Sequence, residues 1–189
     1  PPDGGWGPKS EGKAGPAPIY VANHVSQLDV ACAYHLNRRF KWIASNKVLF
    51  LPWAGLVMYL GGHIFVKRKG QGKKESVRSF YEKCPEAVNN GTAIFMFAQG
   101  TRSMAERLPF KDGAFNVASM TGCPLVPVSI EVPLGTWDGW YPLSRLWGRK
   151  KGSVVVTVHP PITNTMGAET EELKGKCRDA IYSVLPEPG

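Results

Sequence analysis

Two short segments of this chain hold residue types that can move a proton and hold an anion. The first runs Asn23-His24-Val25-Ser26-Gln27-Leu28-Asp29. An imidazole works as a general base near neutral pH, and a carboxylate bonded to one ring nitrogen leaves the other free to take a proton. The His-to-Asp spacing does not stack both residues on one helix face. It serves if His24 lies in a turn and Asp29 in the first turn of the next helix, where the helix N-terminus favours an anion. In isolation the same residues also fit a helix cap beside an ordinary turn histidine. The second segment is Phe97-Ala98-Gln99-Gly100-Thr101-Arg102-Ser103. Glycine lets the backbone approach an anion, Thr and Ser add hydroxyls, and Arg supplies a bidentate fork. That combination suits a phosphate cradle, or, alone, a turn with an exposed arginine.

Two basic stretches accompany them. Lys67-Arg68-Lys69 is followed closely by Lys73 and Lys74, with no acid between. Trp137, Trp140, Tyr141 and Trp147 are interleaved with Arg145, Arg149, Lys150 and Lys151 over Trp137–Lys151. Aromatics among cations suit a membrane interface or single-stranded nucleic acid. Cys32, Cys84, Cys123 and Cys177 form no CxxC and read as reduced thiols of a reducing compartment. The histidines show no zinc-ligand spacing with each other or with the cysteines, so no metal is expected.

The elements that must position these residues follow from hydrophobic pattern. Residues 1–18 are rich in Gly, Pro and Lys and read as a disordered lead-in, with the folded domain over residues 19–189. Apolar runs predict strands at Ile19–Ala22, Phe40–Ala44, His63–Lys67, Thr92–Phe97, Leu125–Val132 and Val154–His159. Helical spacing predicts helices over Ser26–Leu36, Lys47–Leu60 (interrupted by Pro52), Lys73–Val88, Gly113–Met120 and Glu169–Val184. Ser26 is the expected N-cap of the first helix, with Asp29 completing an acidic capping box. Strands separated by helices predict an α/β domain with a largely parallel sheet. The last two strands have no helix between them, which predicts an antiparallel pair.

Composition bounds the rest. The chain has 189 residues, 43% hydrophobic and 20% charged, enough for one domain with its own core. The net charge of +8 suggests a polyanionic partner: nucleic acid, anionic lipid or a phosphorylated substrate. The chain starts on Pro1 without a signal peptide, and the amino terminus reads as processed or truncated. The longest strongly apolar run, Val48–Leu60, is shorter than the roughly 20 residues that span a bilayer as a helix.

In this order and spacing the segments resemble the glycerolipid acyltransferase family, within it the lysophosphatidate acyltransferases. Asn23 to Asp29 match the family's Asn-His-x4-Asp block, and Gly62-His63-Ile64-Phe65-Val66-Lys67-Arg68 its Gly–strand–Arg block. Phe97 to Ser103 match Phe-Pro-Glu-Gly-Thr-Arg-Ser, and Val126-Pro127-Val128 the Val-Pro-Val strand. Pro52, Gly55, Phe110-Lys111, Gly113-Ala114-Phe115 and Pro161-Ile162 add smaller matches. The chain departs from the pattern at Ala98 and Gln99, where Pro and Glu are usual, and at Lys67, where an acidic or neutral residue is common.

The resemblance implies acyl transfer from acyl-CoA or acyl carrier protein to the sn-2 hydroxyl of 1-acylglycerol 3-phosphate, giving phosphatidate. It implies His24 as base and Asp29 as its orienting partner. Arg68, Gly100, Thr101, Arg102 and Lys111 would hold the phosphate, with Asn23, Ser26, Gln99 and Ser103 in support. Backbone amides near Gly100 or Ser26 are expected to face the thioester oxyanion, and Arg68 or Arg102 to contact residue 99. No cofactor beyond the acyl donor and no nucleic acid are expected. The expected location is a membrane surface facing a reducing compartment: the cytosolic face of the endoplasmic reticulum, a plastid or a bacterial inner membrane. Val48–Leu60 and the Trp-rich stretch are the docking candidates. The alternatives are the same chemistry on another glycerophosphate or lysophospholipid, or a catalytically weak lipid-binding paralogue.

Overall fold

A computed structural model describes residues 15–26, 28–45, 50, 54–66, 73–103, 106–133 and 153–187. In chain order the elements are β1 (Ile19–Ala22), α1 (Leu28–Tyr34), β2 (Lys41–Ser45), α2 (Ala54–Leu60), β3 (Ile64–Val66) and α3 (Lys73–Asn89). They continue with β4 (Ile94–Phe97), α4 (Gly113–Thr121), β5 (Leu125–Glu131), β6 (Val155–Val158) and α5 (Thr170–Tyr182). The strands form one sheet in the order β3-β2-β4-β1-β5-β6. β1 to β5 pair in parallel, and β6 runs antiparallel to β5. The expected α/β architecture, largely parallel with an antiparallel final pair, is the one observed.

The central strands β1 and β4 are apolar throughout because both sheet faces are covered, as parallel sheets require. Ile19, Val21, Ile94, Met96 and Leu125 point to one face and pack with Cys84 and Val88 of α3, Phe115 and Val117 of α4, and Leu173 and Ile181 of α5. Tyr20, Ala22, Phe95, Val126, Val128 and Ile130 point to the other, against Cys32 and Ala33 of α1 and Met58 of α2. Alternation along each strand thus divides the core into two layers.

The element ends agree with the sequence reading to within two residues except at the expected helix Lys47–Leu60, which is described as α2 only from Ala54, residues 46–49 and 51–53 lying outside the described ones. α1 stops at Tyr34 rather than Leu36, because His35 and Leu36 bond back to Cys32 and Ala33 in tighter turns and Asn37 takes φ +49°. His63 precedes β3 instead of starting it, and its Nδ1 accepts the Trp42 N–H at 3.0 Å. α2 presents Leu56, Val57, Tyr59 and Leu60 to solvent. Among the described residues no helix is long and apolar enough to cross a membrane. Lys67, Arg68, Lys69, Pro52 and the stretch Trp137–Lys151 lie outside the described residues, as does the lead-in up to residue 14.

Candidate active site

The sheet register assembles the site. β1 and β4 are neighbours, with Ala22 opposite Phe97. Two residues further along each strand direction, His24 comes beside Gln99. The loops that follow these strands meet at the carboxyl end of the sheet, where α/β folds place ligands.

α1 supplies the partner of His24. Asp29 sits in its first turn and is fully buried. Its Oδ2 accepts from His24 Nδ1 at 2.8 Å, from the Val25 N–H at 2.6 Å and from the Ser26 N–H at 2.9 Å. Its Oδ1 accepts from Ser26 Oγ at 3.1 Å, and Ser26 Oγ in turn accepts the Leu28 N–H. The expected capping box is therefore present, and the carboxylate that caps the helix also grips the imidazole. The His24 ring lies flat against Phe97, with centroids 3.8 Å apart and planes 9° apart. With Nδ1 committed to Asp29, Nε2 is the nitrogen left without a hydrogen-bond partner among the described residues.

That ring lines a cavity of about 340 Å³ between the sheet and two helices. The walls are mainly apolar: Ile43 and Ala44 of β2, Val66 of β3, Met96 of β4 and Phe80 of α3. Gly113 opens α4 against the Phe80 ring, where a Cβ would come within 3.0 Å. Polar groups join at one end, where Gly100 and Lys111 line the cavity with His24. Gly100 takes φ +68°, a conformation that glycine adopts without strain, and the Lys111 side chain crosses close beside it. The Lys111 N–H donates to the Ala98 carbonyl at 2.7 Å, which brings the lysine back under the loop. Thr101 and Arg102 follow directly on Gly100 and are exposed.

Three residues expected in support bond to main-chain groups. Asn23 bonds through both ends of its amide to the main chain of Ile130, each at 2.8 Å, so that its side chain extends the β1–β5 pairing. Gln99 accepts the His24 N–H on Oε1 at 2.7 Å and donates from Nε2 to the Tyr182 hydroxyl at 3.2 Å. Its side-chain partners are thus a main-chain N–H and a tyrosine hydroxyl rather than Arg102, and the expected pairing with Arg68 falls on a residue outside the described ones. Ser103 donates its N–H to the His24 carbonyl at 3.0 Å. Asn23, Gln99 and Ser103 line a second cavity of about 280 Å³, closed by Tyr182 and Leu185.

The amides of Val25, Ser26 and Gly100 already have acceptors within the fold. Val25 and Ser26 donate to Asp29, and Gly100 donates to the Phe97 carbonyl. A capping carboxylate and a tight turn each take up donors that they bring together. All four cysteines are buried free thiols, and burial pushes Cys84 and Cys177 up to about 12, far from reactivity. Among the described residues no cluster of His, Cys, Asp and Glu gathers that could hold a metal.

Sequence reading missed Phe97 and Tyr182. Phe97 ends an apolar strand and is indistinguishable there from core. Tyr182 ends the last helix and reaches Gln99 across the whole fold, a contact without a local signal.

Residues 9–131, which carry His24, Asp29 and the Gly100 loop, match the Acyltransferase family. The chain belongs to the Acyltransferase family. Among curated members, it is 32% identical over 169 residues to a 1-acyl-sn-glycerol-3-phosphate acyltransferase of Chlamydomonas reinhardtii, covering 89% of this chain and 48% of that one. It is 33% identical over 168 residues to the chloroplastic 1-acyl-sn-glycerol-3-phosphate acyltransferase BAT2 of Brassica napus, covering 88% of this chain and 46% of that one. With the 1-acyl-sn-glycerol-3-phosphate acyltransferase of Escherichia coli (strain K12) it shares 29% over 177 residues, 89% of this chain and 67% of the other. The chain thus spans about half the length of its algal and plant relatives. A crystal structure of the 1-acyl-sn-glycerophosphate (LPA) acyltransferase PlsC from Thermotoga maritima superposes with a TM-score of 0.63 at 26% identity, over 87% of this chain and 63% of that chain. Within this acyltransferase fold the imidazole, its buried carboxylate and the basic end of the cavity occupy one site.

Proposed function

We propose that this acyltransferase transfers an acyl group from a thioester to the sn-2 hydroxyl of 1-acylglycerol 3-phosphate, giving phosphatidate. The observation that carries the reading is His24, bonded to buried Asp29 and turned into a cavity that is apolar along its walls and basic at one end. An alcohol is a poor nucleophile near neutral pH and needs a base at the moment of attack. His24 Nε2 takes the hydroxyl proton as the oxygen adds to the thioester carbonyl carbon. The C–S bond then breaks, and the imidazolium returns the proton to the leaving thiolate. Asp29 holds the ring and stabilises the imidazolium that forms.

The phosphate of the acceptor is assigned to Lys111, Gly100, Thr101 and Arg102, with Arg68 as a further ligand. An arginine fork suits a terminal phosphate dianion better than a diester headgroup. The apolar walls suit an acyl chain. Such substrates reside in membranes, so the exposed Leu56, Val57, Tyr59 and Leu60 of α2 are assigned to a lipid surface. The names of similar proteins support the same substrate.

The test is an acyl-transfer assay on purified protein with one acyl-CoA, following thiol release and phosphatidate together. 1-Acylglycerol 3-phosphate is compared with glycerol 3-phosphate and a lysophosphatidylcholine. The reading requires the first to be the preferred acceptor by kcat/KM. Preference for either of the others moves the protein to a different acceptor class, and absence of turnover on all three favours a lipid-binding role.

A further inference from the structure

The place of the His24 ring depends on its main chain as well as on Asp29 and Phe97. That main chain lies in the link between β1 and α1, and two contacts from the loop after β4 pin it. Its carbonyl accepts from Ser103, and its N–H donates to Gln99 Oε1. Gln99 is only 4% exposed, so its amide has little access to water. The backbone N–H is a donor only, which fixes Oε1 toward His24 and leaves Nε2 in need of an acceptor. The Tyr182 hydroxyl is that acceptor.

The hydroxyl is itself held in place. The Arg107 guanidinium lies 4.6 Å above the Tyr182 ring and donates to the carbonyls of Leu185 and Pro186 just beyond it. Phe110 packs against the same ring at 5.8 Å.

We propose that Tyr182, at the end of α5, is a positioning residue for acyl transfer that keeps the His24 main chain in place by orienting the Gln99 amide. The proposal rests on the reading of His24 as the base. Without the hydroxyl, Gln99 Nε2 is buried with no acceptor. The amide then turns to find one and gives up its grip on the His24 N–H. A small displacement of the base is costly, since about 1 Å of misplacement can cost 10²-fold in rate. A hydroxyl both donates and accepts, so the same tyrosine also serves a carboxylate at residue 99, the residue usual in this motif.

Tyr182→Phe is the test, because it removes the hydroxyl and keeps the ring with its Arg107 and Phe110 contacts. The expected result is a kcat about tenfold lower, with KM for both substrates within about twofold and a melting temperature lower by no more than about a few degrees. Amide hydrogen exchange at His24 should be faster than in the wild type. In a Gln99→Leu background, where the contact is already gone, Tyr182→Phe should cost nothing further. Wild-type kcat and wild-type exchange in Tyr182→Phe overturn the proposal. So do losses that multiply in the double variant, which would mark Tyr182 as an independent structural residue. If His24→Ala retains full turnover, the base reading fails, and the His24 exchange rate still reports whether Tyr182 holds this main chain.

Discussion

The His24 imidazole and the Phe97 ring are stacked face to face, 3.8 Å apart and 9° from parallel. Asp29 fixes the ring along one edge and Phe97 fixes its plane, so the histidine is held in two directions before any substrate arrives. Rigid support of this kind keeps a base in its working geometry, and an aromatic pair contributes about 0.5–1.5 kcal/mol beyond its buried area. Phe97→Leu keeps the strand apolar and removes the flat surface. Its kcat should fall about two- to tenfold by that energy. Steady-state kinetics decide it, and an unchanged kcat would remove Phe97 from the working site.

Asn23 belongs to the family motif but acts here on β5. Both polar ends of its amide pair with the main chain of Ile130. Asn23→Ala strands a buried N–H and a buried C=O, at about 1–3 kcal/mol for each. Urea unfolding should show a loss of about 2 kcal/mol or more. Full stability with lost turnover would place Asn23 in the chemistry instead.

The basic end of the cavity should read the phosphate. Lys111→Ala and Arg102→Ala should each raise KM for 1-acylglycerol 3-phosphate about tenfold or more and leave KM for the acyl donor nearly unchanged, since a charge-assisted contact is worth about 1.5–3 kcal/mol. Equal changes for both substrates would point to a structural role for these residues.

Stability should fall on the acid side of neutrality. Burial, reinforced by the nearby Lys41 cation, holds His63 below its ordinary 6.5, and burial does the same for His159. Each is favoured neutral in the folded chain, so its contribution is complete above pH 6.5 and is lost as pH falls through the lower folded value. Protonation of His63 Nδ1 also removes the acceptor of the Trp42 N–H. Thermal unfolding at pH 7.5 and 5.5 should show a drop that His63→Gln reduces. An equal drop in that variant would assign the acid sensitivity to other groups.

The order of strands and helices was legible because the strands are buried on both faces and read as plain apolar runs between turn signals. The His24–Asp29 pair was legible because a capping signal and a proton-transfer pair share the same few residues. What stayed hidden is carried by contacts distant in sequence. Asn23 meets Ile130 and Gln99 meets Tyr182 only once the sheet has brought β1, β4 and β5 together and α5 has closed over them. Gln99 was expected beside arginine because its neighbours look like an anion cradle. The register brings it to the main chain of His24, a contact its neighbours in sequence do not announce. The cavity walls come from β2, β3, β4 and α3, whose residues carry no mark that separates them from core.

His24, held by Asp29, is proposed as the general base. The most direct measurement is single-turnover acyl transfer by His24→Ala, with near-ultraviolet circular dichroism and melting temperature confirming the fold. A general base contributes roughly 10²–10⁴ in rate, so the variant should lose about that factor while still binding both substrates. A folded His24→Ala protein that keeps more than about a tenth of the wild-type rate, well outside that range, would contradict the account.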